Sequence, residues 1–279
     1  MGHSGAGSSR IGIFNINGGE KIMQITIIGA GPGDPDLITV KGLKLLQEAD
    51  VVLYADSLVS TELIERAKPE AEIIKTAGMH LDEMVEIMVD RVHEGKKVVR
   101  VHTGDPAVYG AIMEQISILN KKDVSVEIIP GVSSVFASAA ALGAELTIPE
   151  LTQTVILTRA EGRTPVPDAE KLRDLAKHHC TVALFLSATL TKKIVKEFLD
   201  AGWSKDTPVG VVYKASWPDQ KIVRSTLEHL DEDMRANGIR KQAMILAGWA
   251  LDKDIHQKDF RSKLYDKAFT HGFRKGVKE

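Results

Sequence analysis

The chain has 279 residues, of which 43% are hydrophobic, and its 36 lysine and arginine residues nearly balance its 38 aspartate and glutamate residues. This length is enough for two domains with a sizeable core. The formal net charge of −2 excludes the general basic field that would draw the protein to nucleic acid or to an anionic membrane.

Cys180 is the only cysteine, so the chain can form neither an internal disulfide nor a paired-cysteine metal site, which is typical of cytoplasmic proteins. No apolar run reaches the roughly 18 residues that a membrane-spanning helix needs. His178, His179 and Cys180 are adjacent, and neighbouring side chains of a strand point to opposite faces, so they cannot share a metal ion well. We therefore expect no metal bound by the protein.

Residues 1–22 are rich in glycine, serine and asparagine and lack the apolar segment of a secretory signal. We interpret them as a non-native leader, with the natural start near Met23.

The first half of the remaining chain predicts five strands, at residues 24–29, 50–55, 71–76, 97–103 and 125–130. The clearest helix between them has five apolar residues on one face, which are Leu81, Met84, Val85, Met88 and Val92. Gly95 is placed to end this helix. The alternation predicts parallel β-α-β units in an open sheet, which binds ligands beyond the carboxyl ends of its strands.

The second half predicts five more strands, at residues 154–160, 180–186, 207–213, 221–226 and 242–248. The third and fourth of these are joined by a connection too short for a crossover helix, so we expect that pair to be antiparallel. Periodicity lapses between the halves, in residues 143–153. We therefore predict an α/β domain at 23–145, a mixed α/β domain at 151–252 and a ligand site in the cleft between them.

Residues 253–279 are predicted to be a charged C-terminal tail. Phe260, Leu264 and Ala268 are spaced to line one side of a short helix within it.

The sequence IIGAGPGDPD at residues 27–36 begins like a dinucleotide-binding turn, because Gly29, Gly31 and Gly33 follow an apolar strand. Asp34, however, stands where that pattern needs a further glycine, and it would face a phosphate. Pro32 and the next proline also remove backbone N–H donors from the turn. From the residues alone, a dinucleotide site, a structural turn and a site for another ligand remain open.

Two further motifs help to decide, VVRVHTGDPAVYG at residues 98–110 and IIPGVSSVFASAAALG at 128–143. Together with the glycine-rich stretch that begins at Gly29, they resemble the motifs of the tetrapyrrole methyltransferase family, in the same order and at about the same spacing. The resemblance extends from Met23 to about residue 252. It is strongest to the members that methylate ring carbon 11 of precorrin-4 or cobalt-precorrin-4, whereas uroporphyrinogen-III methyltransferases commonly have Tyr-Met-Gly in place of Phe185, Leu186 and Ser187.

The resemblance implies an enzyme with two α/β domains of the tetrapyrrole methylase type that uses S-adenosyl-L-methionine and releases S-adenosyl-L-homocysteine. The cofactor-binding residues that it implies are Pro32, Thr103, Gly104, Asp105, Val108, Ser133, Ser134, Leu186, Ala215, Ile245 and Leu246. The alternative for the Gly-Asp-Pro loop is a tight turn in which Asp105 caps the following helix. Ordinary core burial is the alternative for Leu186 and Ile245.

The resemblance also implies that Gly31 and Gly33 face the tetrapyrrole. Because the substrate carries several carboxylates, we expect basic residues beside it, and Arg159, Arg163 and Lys214 are the candidates, with solvated surface charge as the alternative.

Proton transfer after methylation would need a base. Asp34, Asp105 and His102 are the candidate catalytic residues, and the sequence does not choose between them or a reaction that needs no protein base.

The partner implied is a small-molecule tetrapyrrole, with or without cobalt, and the family resemblance implies a cytoplasmic homodimer that binds neither nucleic acid nor a membrane. The alternatives are another tetrapyrrole methyltransferase, such as one that acts on uroporphyrinogen-III, and an NAD-dependent dehydrogenase. Two more are a methyltransferase of ribosomal RNA or of a modified histidine, and a non-catalytic nucleotide-binding module. Near-neutral charge with little interleaving of aromatic and basic residues argues against RNA.

Overall fold

A computed structural model describes residues 16–17, 20–21, 23–258, 260, 262 and 265–277. Its contacts divide the chain into two compact units, Met1–Ser133 and Ser134–Glu279. No helix among the described residues is long and apolar enough to cross a bilayer.

The first unit contains a short antiparallel pair and a five-stranded parallel sheet. Its strands are β1 (Ile16–Asn17), β2 (Glu20–Lys21), β3 (Gln24–Gly29), β4 (Val51–Tyr54), β5 (Glu72–Lys75), β6 (Val98–His102) and β7 (Ser125–Ile129). Its helices are α1 (Val40–Glu48), α2 (Thr61–Ile64), α3 (Leu81–His93) and α4 (Ile112–Asn120). The sheet order is β5-β4-β6-β3-β7.

Apolar side chains cover both faces of this sheet, which is why its strands read as continuous runs of β-branched and apolar residues. Val52 and Val99 belong to a buried cluster that includes residues of α1, while Val51 and Val98, one residue earlier on the same strands, join residues of α3 on the other face. The predicted helical face is confirmed in α3. Met84, Val85, Met88 and Val92 are buried, and Leu81 is half-buried.

The second unit is built on a mixed sheet in the order β11-β10-β12-β9-β8. Its strands are β8 (Val155–Arg159), β9 (Thr181–Phe185), β10 (Pro208–Tyr213), β11 (Lys221–Thr226) and β12 (Ala243–Ala247). Its helices are α5 (Ser134–Ala141), α6 (Leu172–Ala176), α7 (Thr191–Asp200) and α8 (Leu230–Ala236). Strands β8 and β9 are parallel, and the predicted antiparallel pair is confirmed as β10 with β11.

Helix α5 belongs to the second unit, although the sequence assigns all residues up to 145 to the first domain. Val135 and Ala139 of α5 pack in one buried cluster with Ala183 of β9 and Leu246 of β12. A small, alanine-rich helix has no feature in its periodicity that says which sheet it covers. The lapse of periodicity at 143–153 follows the end of α5, while the contacts divide the chain before that helix begins.

In the C-terminal tail, Ile255–Gln257 forms a 3-10 turn. Ala268 lies in a turn, and a bridge pairs His271 with Arg274 further on, so the short helix predicted there is not formed around Ala268. Leu264, the central residue of that prediction, lies outside the described residues.

Candidate functional site

The loops that follow β3 and β6 pair with each other beyond the end of the sheet. Gly29 is opposite His102 in the parallel ladder, and the Ala30 N–H donates to the His102 carbonyl at 2.7 Å. Gly31 and Gly104 then exchange two backbone hydrogen bonds, at 3.2 and 2.8 Å. The two motifs that the sequence singled out are thereby held together at the carboxyl edge of the first sheet.

A crossing of three glycines lies at this edge and leaves no room for side chains. A Cβ atom on Gly29 would lie 2.5 Å from the Gly131 Cα, and one on Gly131 would lie 2.2 Å from the Gly104 carbonyl oxygen. Because these neighbours are backbone atoms, they cannot move aside as a flexible side chain can. Only glycine therefore allows the loops after β3, β6 and β7 to approach this closely.

Asp105 links two of these loops through its carboxylate. Its Oδ1 accepts a hydrogen bond from the Ala107 N–H and its Oδ2 accepts one from the Gly131 N–H, both at 2.8 Å. The first contact forms the tight turn that the sequence allowed as an alternative, but Asp105 does not cap the following helix, because α4 begins only at Ile112. The second fixes the loop after β6 to the loop after β7. This pair of hydrogen bonds is here named the Asp105 brace.

His102 braces the same loop from inside. Its Nδ1 lies 2.8 Å from the Thr103 carbonyl oxygen and its Nε2 lies 3.1 Å from the Gly110 carbonyl oxygen. Burial of the ring holds the His102 pKa below its usual value, an effect that the nearby Arg100 charge reinforces and the two carbonyls and Asp105 oppose. A neutral imidazole donates only one of the two hydrogen bonds at a time.

Arg100 is itself buried on β6, with no carboxylate partner among the described residues. Its Nη1 donates to the Leu53 and Val101 carbonyls at 3.3 and 3.1 Å. Burial lowers the pKa of the guanidinium to about 10, so the group remains charged at neutral pH.

The loop between His102 and α4 is tightly coiled, a feature that the sequence analysis missed. Tyr109 and Ala111 have φ angles of 54° and 48°, in the left-handed region that costs residues with a Cβ about 1–3 kcal/mol each. Between them, a Cβ on Gly110 would lie 2.3 Å from the Pro106 carbonyl oxygen. Gly110, at the end of its motif, is the only sequence signal of this strain.

The glycine-rich loop after β3 does not form a phosphate-binding turn. Asp34 accepts a hydrogen bond from the Asp36 N–H at 2.8 Å and caps a 3-10 turn at Pro35–Leu37, so α1 begins only at Val40. Thr39 Oγ1 accepts the Gly42 N–H at 3.1 Å. In a dinucleotide site the strand leads directly into a helix whose first N–H groups hold the pyrophosphate, whereas here a side chain takes one of those donors.

The structure thus brings most of the predicted first-unit residues to the carboxyl ends of β3, β6 and β7. They are Gly31, Pro32, Gly33, Asp34, His102, Thr103, Gly104, Asp105, Val108 and Ser133. Gly31, Pro32 and Ser133 are buried, and the others are half-buried. Thr103 Oγ1 donates to the Leu58 carbonyl at 3.3 Å, and the Val108 N–H donates to the Asp105 carbonyl at 3.4 Å.

The second unit has a similar edge, where β8, β9 and β10 end and where β12, which lies antiparallel between β9 and β10, begins. Four residues with a Cβ adopt left-handed φ angles at this edge, Leu186 (52°), Lys214 (45°), Ser216 (66°) and Gln242 (50°). Leu186 is also 74% exposed, so core burial is wrong for this residue. Strain of this kind is concentrated at functional sites. No pattern in the sequence points to Ser216 or Gln242.

The other predicted cofactor contacts of the second unit are mostly core residues. The Ile245 and Leu246 side chains are fully buried in different clusters on opposite faces of β12, so core packing accounts for both. Ala215 is 5% exposed and packs with Leu246. Ser134 is half-buried at the start of α5.

The three predicted substrate-binding cations have different surroundings. Arg159 donates Nη1 to the Thr164 carbonyl at 3.1 Å and Nη2 to the Pro165 carbonyl at 2.6 Å. Lys214 Nζ lies 2.7 Å from an Asp219 carboxylate oxygen, which raises the lysine pKa. Arg163 is exposed and makes no hydrogen bond or ion pair with a described residue.

No group of three or more histidine, cysteine, aspartate and glutamate side chains in the described part of the chain is arranged to hold a metal ion.

The family model of tetrapyrrole (corrin/porphyrin) methylases matches residues 24–231 of the chain. A cobalt-precorrin-4 C(11)-methyltransferase of Priestia megaterium is 77% identical over 92% of this chain and 99% of its own length.

Two solved structures agree. The X-ray structure of a cobalt-precorrin-4 methyltransferase is 76% identical, with a TM-score of 0.81 over 82% of this chain and 96% of that one. The uroporphyrin-III C-methyltransferase of Thermus thermophilus in complex with S-adenosyl homocysteine is 30% identical, with a TM-score of 0.68 over 82% of this chain and 93% of that one. These matches confirm the predicted fold class.

Proposed function

Because the chain belongs to the tetrapyrrole (corrin/porphyrin) methylase family, we propose that it transfers a methyl group from S-adenosyl-L-methionine to ring carbon 11 of cobalt-precorrin-4. The observation that carries this proposal is the 77% identity to the Priestia megaterium enzyme of that name, which extends over nearly the whole of both chains. The lower identity of 30% to a uroporphyrin-III methyltransferase makes methylation of uroporphyrinogen-III the weaker alternative.

The backbone and apolar groups at the carboxyl edge of the first sheet support S-adenosyl-L-methionine as the cofactor. When bound, the cofactor supplies an electrophilic methyl group on a positively charged sulfur, and this charge disappears on transfer. The carbonyls of Thr103 and Gly104, which can each accept a hydrogen bond beyond the one they already make, and the apolar Pro32 and Val108 suit such a group, because uncharged groups do not overstabilise the charged reactant.

The contribution of the protein is chiefly to hold positions. Methyl transfer to carbon is an in-line displacement that needs the reacting atoms about 3 to 3.5 Å apart and aligned. The glycine crossing and the Asp105 brace fix the loops after β3, β6 and β7 against one another, and the His102 ring holds the loop after β6 from within. We propose that this rigidity orients the cofactor. In the second unit we retain the strained Leu186 and Ala215 as proposed cofactor contacts, whereas Ile245 and Leu246 are core residues.

We retain Asp34 as the candidate for proton transfer. Asp34 follows Gly33 and caps a short turn, and we propose that Gly31 and Gly33 beside it face the tetrapyrrole. His102 and Asp105 hold the loop after β6, and we propose a structural role for them. The predicted homodimer and the cytoplasmic location remain predictions from the resemblance and from the single cysteine.

The test is to incubate the enzyme with labelled S-adenosyl-L-methionine and, separately, with cobalt-precorrin-4, precorrin-4 and uroporphyrinogen-III. Mass spectrometry and NMR of the products should find one new methyl group, at ring carbon 11, with cobalt-precorrin-4 as the preferred substrate. Methylation of uroporphyrinogen-III alone would replace the substrate assignment. Binding of NAD without binding of S-adenosyl-L-homocysteine would contradict the proposal that S-adenosyl-L-methionine is the cofactor.

A further inference from the structure

The loop at residues 160–167, here named the arginine loop, is held by hydrogen bonds from Arg159 and from Lys193 of α7. Arg159, the last residue of β8, donates to two successive carbonyls of the loop, those of Thr164 and Pro165. Lys193 of α7 donates to the Glu161 carbonyl at 2.8 Å and lies 3.3 Å from the Glu161 carboxylate. The loop is therefore held at both ends.

The start of the arginine loop is also fixed to the end of the neighbouring strand. The Ala160 N–H donates to Ser187 Oγ at 2.9 Å, and Ser187 directly follows the exposed, left-handed Leu186. The ends of β8 and β9 therefore place the exposed Leu186 side chain next to the start of the loop that carries Arg163.

The arginine loop has one acidic residue, Glu161, and one basic residue, Arg163, and the neighbouring Arg159 and Lys193 add two positive charges. The Glu161 carboxylate accepts the Val166 N–H and pairs with Lys193, and these two contacts hold its pKa below the usual value. Arg159 and Arg163 have no carboxylate partner among the described residues. Of these two guanidinium groups, Arg159 is occupied by carbonyls, and Arg163 projects from the exposed part of the loop.

We propose that the arginine loop is a preformed receptor for a carboxylate of the tetrapyrrole. Arg163 is the binding residue, and Arg159, Glu161 and Lys193 are positioning residues that hold the loop in shape. A planar guanidinium pairs with a carboxylate through two parallel hydrogen bonds, and a loop ordered in advance loses less entropy on binding. This inference rests on the proposed function because it needs a polycarboxylate macrocycle as the substrate.

The first experiment compares Arg163→Ala and Arg163→Lys with the unchanged enzyme. Loss of a charge-assisted pair should raise KM for the tetrapyrrole about 10- to 100-fold in Arg163→Ala, with kcat nearly constant. Arg163→Lys should recover only part of this, because lysine keeps the charge and loses the two-pronged geometry. Arg173→Ala is the control, because it removes an exposed guanidinium of the same unit from α6.

The second experiment separates positioning from binding. Arg159→Ala should raise KM for the tetrapyrrole by less than Arg163→Ala does, and Arg159→Lys should restore part of the loss. In the double variant Arg159→Ala/Arg163→Ala, KM should stay within about twofold of Arg163→Ala alone, since Arg159 acts through Arg163. Additive effects of the two changes would overturn the positioning role.

The dissociation constant of S-adenosyl-L-homocysteine should be the same in all these variants. An unchanged KM for the tetrapyrrole in Arg163→Ala would overturn the proposal, and so would weaker binding of S-adenosyl-L-homocysteine, which would assign the loop to the cofactor. Failure of the proposed function appears separately, as methylation of a different tetrapyrrole or ring carbon by the unchanged enzyme. The effect of each variant would then be measured as the change in KM for that tetrapyrrole.

Discussion

At the scale of single residues, the candidate cofactor site depends on glycines, which have no side chain. Gly131 has a half-buried position where even one methyl group would meet the backbone of Gly104 and Gly29 at 2.2 and 2.7 Å. Glycine here is a steric requirement of the crossing loops. The requirement follows from neighbours that are more than 25 residues away in the sequence, which is why a glycine in a motif does not by itself reveal it.

We expect Gly131→Ala to lower the free energy of unfolding by about 1–3 kcal/mol, because backbone must shift to admit the Cβ. The displaced loops should also bind S-adenosyl-L-homocysteine more weakly. Urea unfolding and calorimetric titration measure the two effects.

Gly78→Ala is the matched control, since a Cβ there has no atom within 4 Å. Its stability should stay within about 0.5 kcal/mol of the original. If Gly131→Ala were as stable as Gly78→Ala and bound the ligand equally well, the glycine crossing would have no role in the site.

His102 leads to a prediction about pH. Its pKa is lowered in the folded protein, chiefly by burial, so below the ordinary histidine pKa the unfolded chain binds more protons than the folded one. The free energy of unfolding should therefore fall as the pH decreases from about 6.5 towards the lower folded-state pKa, by at most about 1.4 kcal/mol per pH unit for this one proton. Above about pH 6.5 the contribution is complete.

Urea unfolding between about pH 5 and pH 8 of the original protein and of His102→Asn tests this expectation. Asparagine can still donate one hydrogen bond to a loop carbonyl, so the variant should fold with lower stability and a flatter pH dependence. His178→Asn, which removes an exposed histidine, should leave the slope unchanged. The same slope in His102→Asn as in the original would contradict the prediction.

At the scale of elements, several strained backbone positions follow strands in both sheets, while others, at Asp123, Glu150 and His179, precede strands. Tyr109 and Ala111 lie beyond β6, and Leu186 and Lys214 lie directly after β9 and β10, all with left-handed φ angles. Such conformations persist only where surrounding contacts impose them. The strand ends were predictable from the alternation of β-branched runs with helical patterns, and each of the ten predicted strands matches its observed bounds within one residue. The strain was not predictable, because it depends on tertiary contacts of ordinary residues.

We expect Leu186→Asn to show a trade-off between stability and binding. Asparagine tolerates the left-handed region better than leucine does, and it removes a side chain that is 74% exposed. The free energy of unfolding should rise by about 0.5–1 kcal/mol, while affinity for S-adenosyl-L-homocysteine should fall because an apolar contact is lost.

Lys205→Asn, in an exposed turn before β10, is a control that should leave ligand affinity unchanged. Unaltered affinity in Leu186→Asn would remove Leu186 from the cofactor contacts and leave its strain unexplained.

At the scale of the whole molecule, the architecture depends on local signals, whereas the role of a side chain depends on the groups it meets after folding. The order and direction of strands follow from connection lengths and apolar runs, which are local. Arg159 and Lys214 were chosen as substrate contacts because they are basic and follow strands, yet one holds loop carbonyls and the other pairs with Asp219. The assignment of α5 similarly needed packing, because an alanine-rich helix has no strongly directional face. Roles that depend on which groups a side chain meets after folding could not be predicted from its type and position.

The glycine-rich loop leads to a prediction about which ligand stabilises the protein. S-adenosyl-L-homocysteine at about 100 times its dissociation constant should raise the free energy of unfolding by about 2.7 kcal/mol, because it binds only the folded chain. NAD should produce no such shift, since a 3-10 turn at Pro35–Leu37 separates β3 from α1, and Thr39 takes a helix N–H that a pyrophosphate would need.

Thermal unfolding with each ligand, in Gly131→Ala as well as in the original chain, is the measurement. At that same ligand concentration the shift should shrink in Gly131→Ala, because the displaced loops raise its dissociation constant. A shift with NAD and none with S-adenosyl-L-homocysteine would mean that the loop binds a phosphate after all, through N–H groups other than the one that Thr39 occupies.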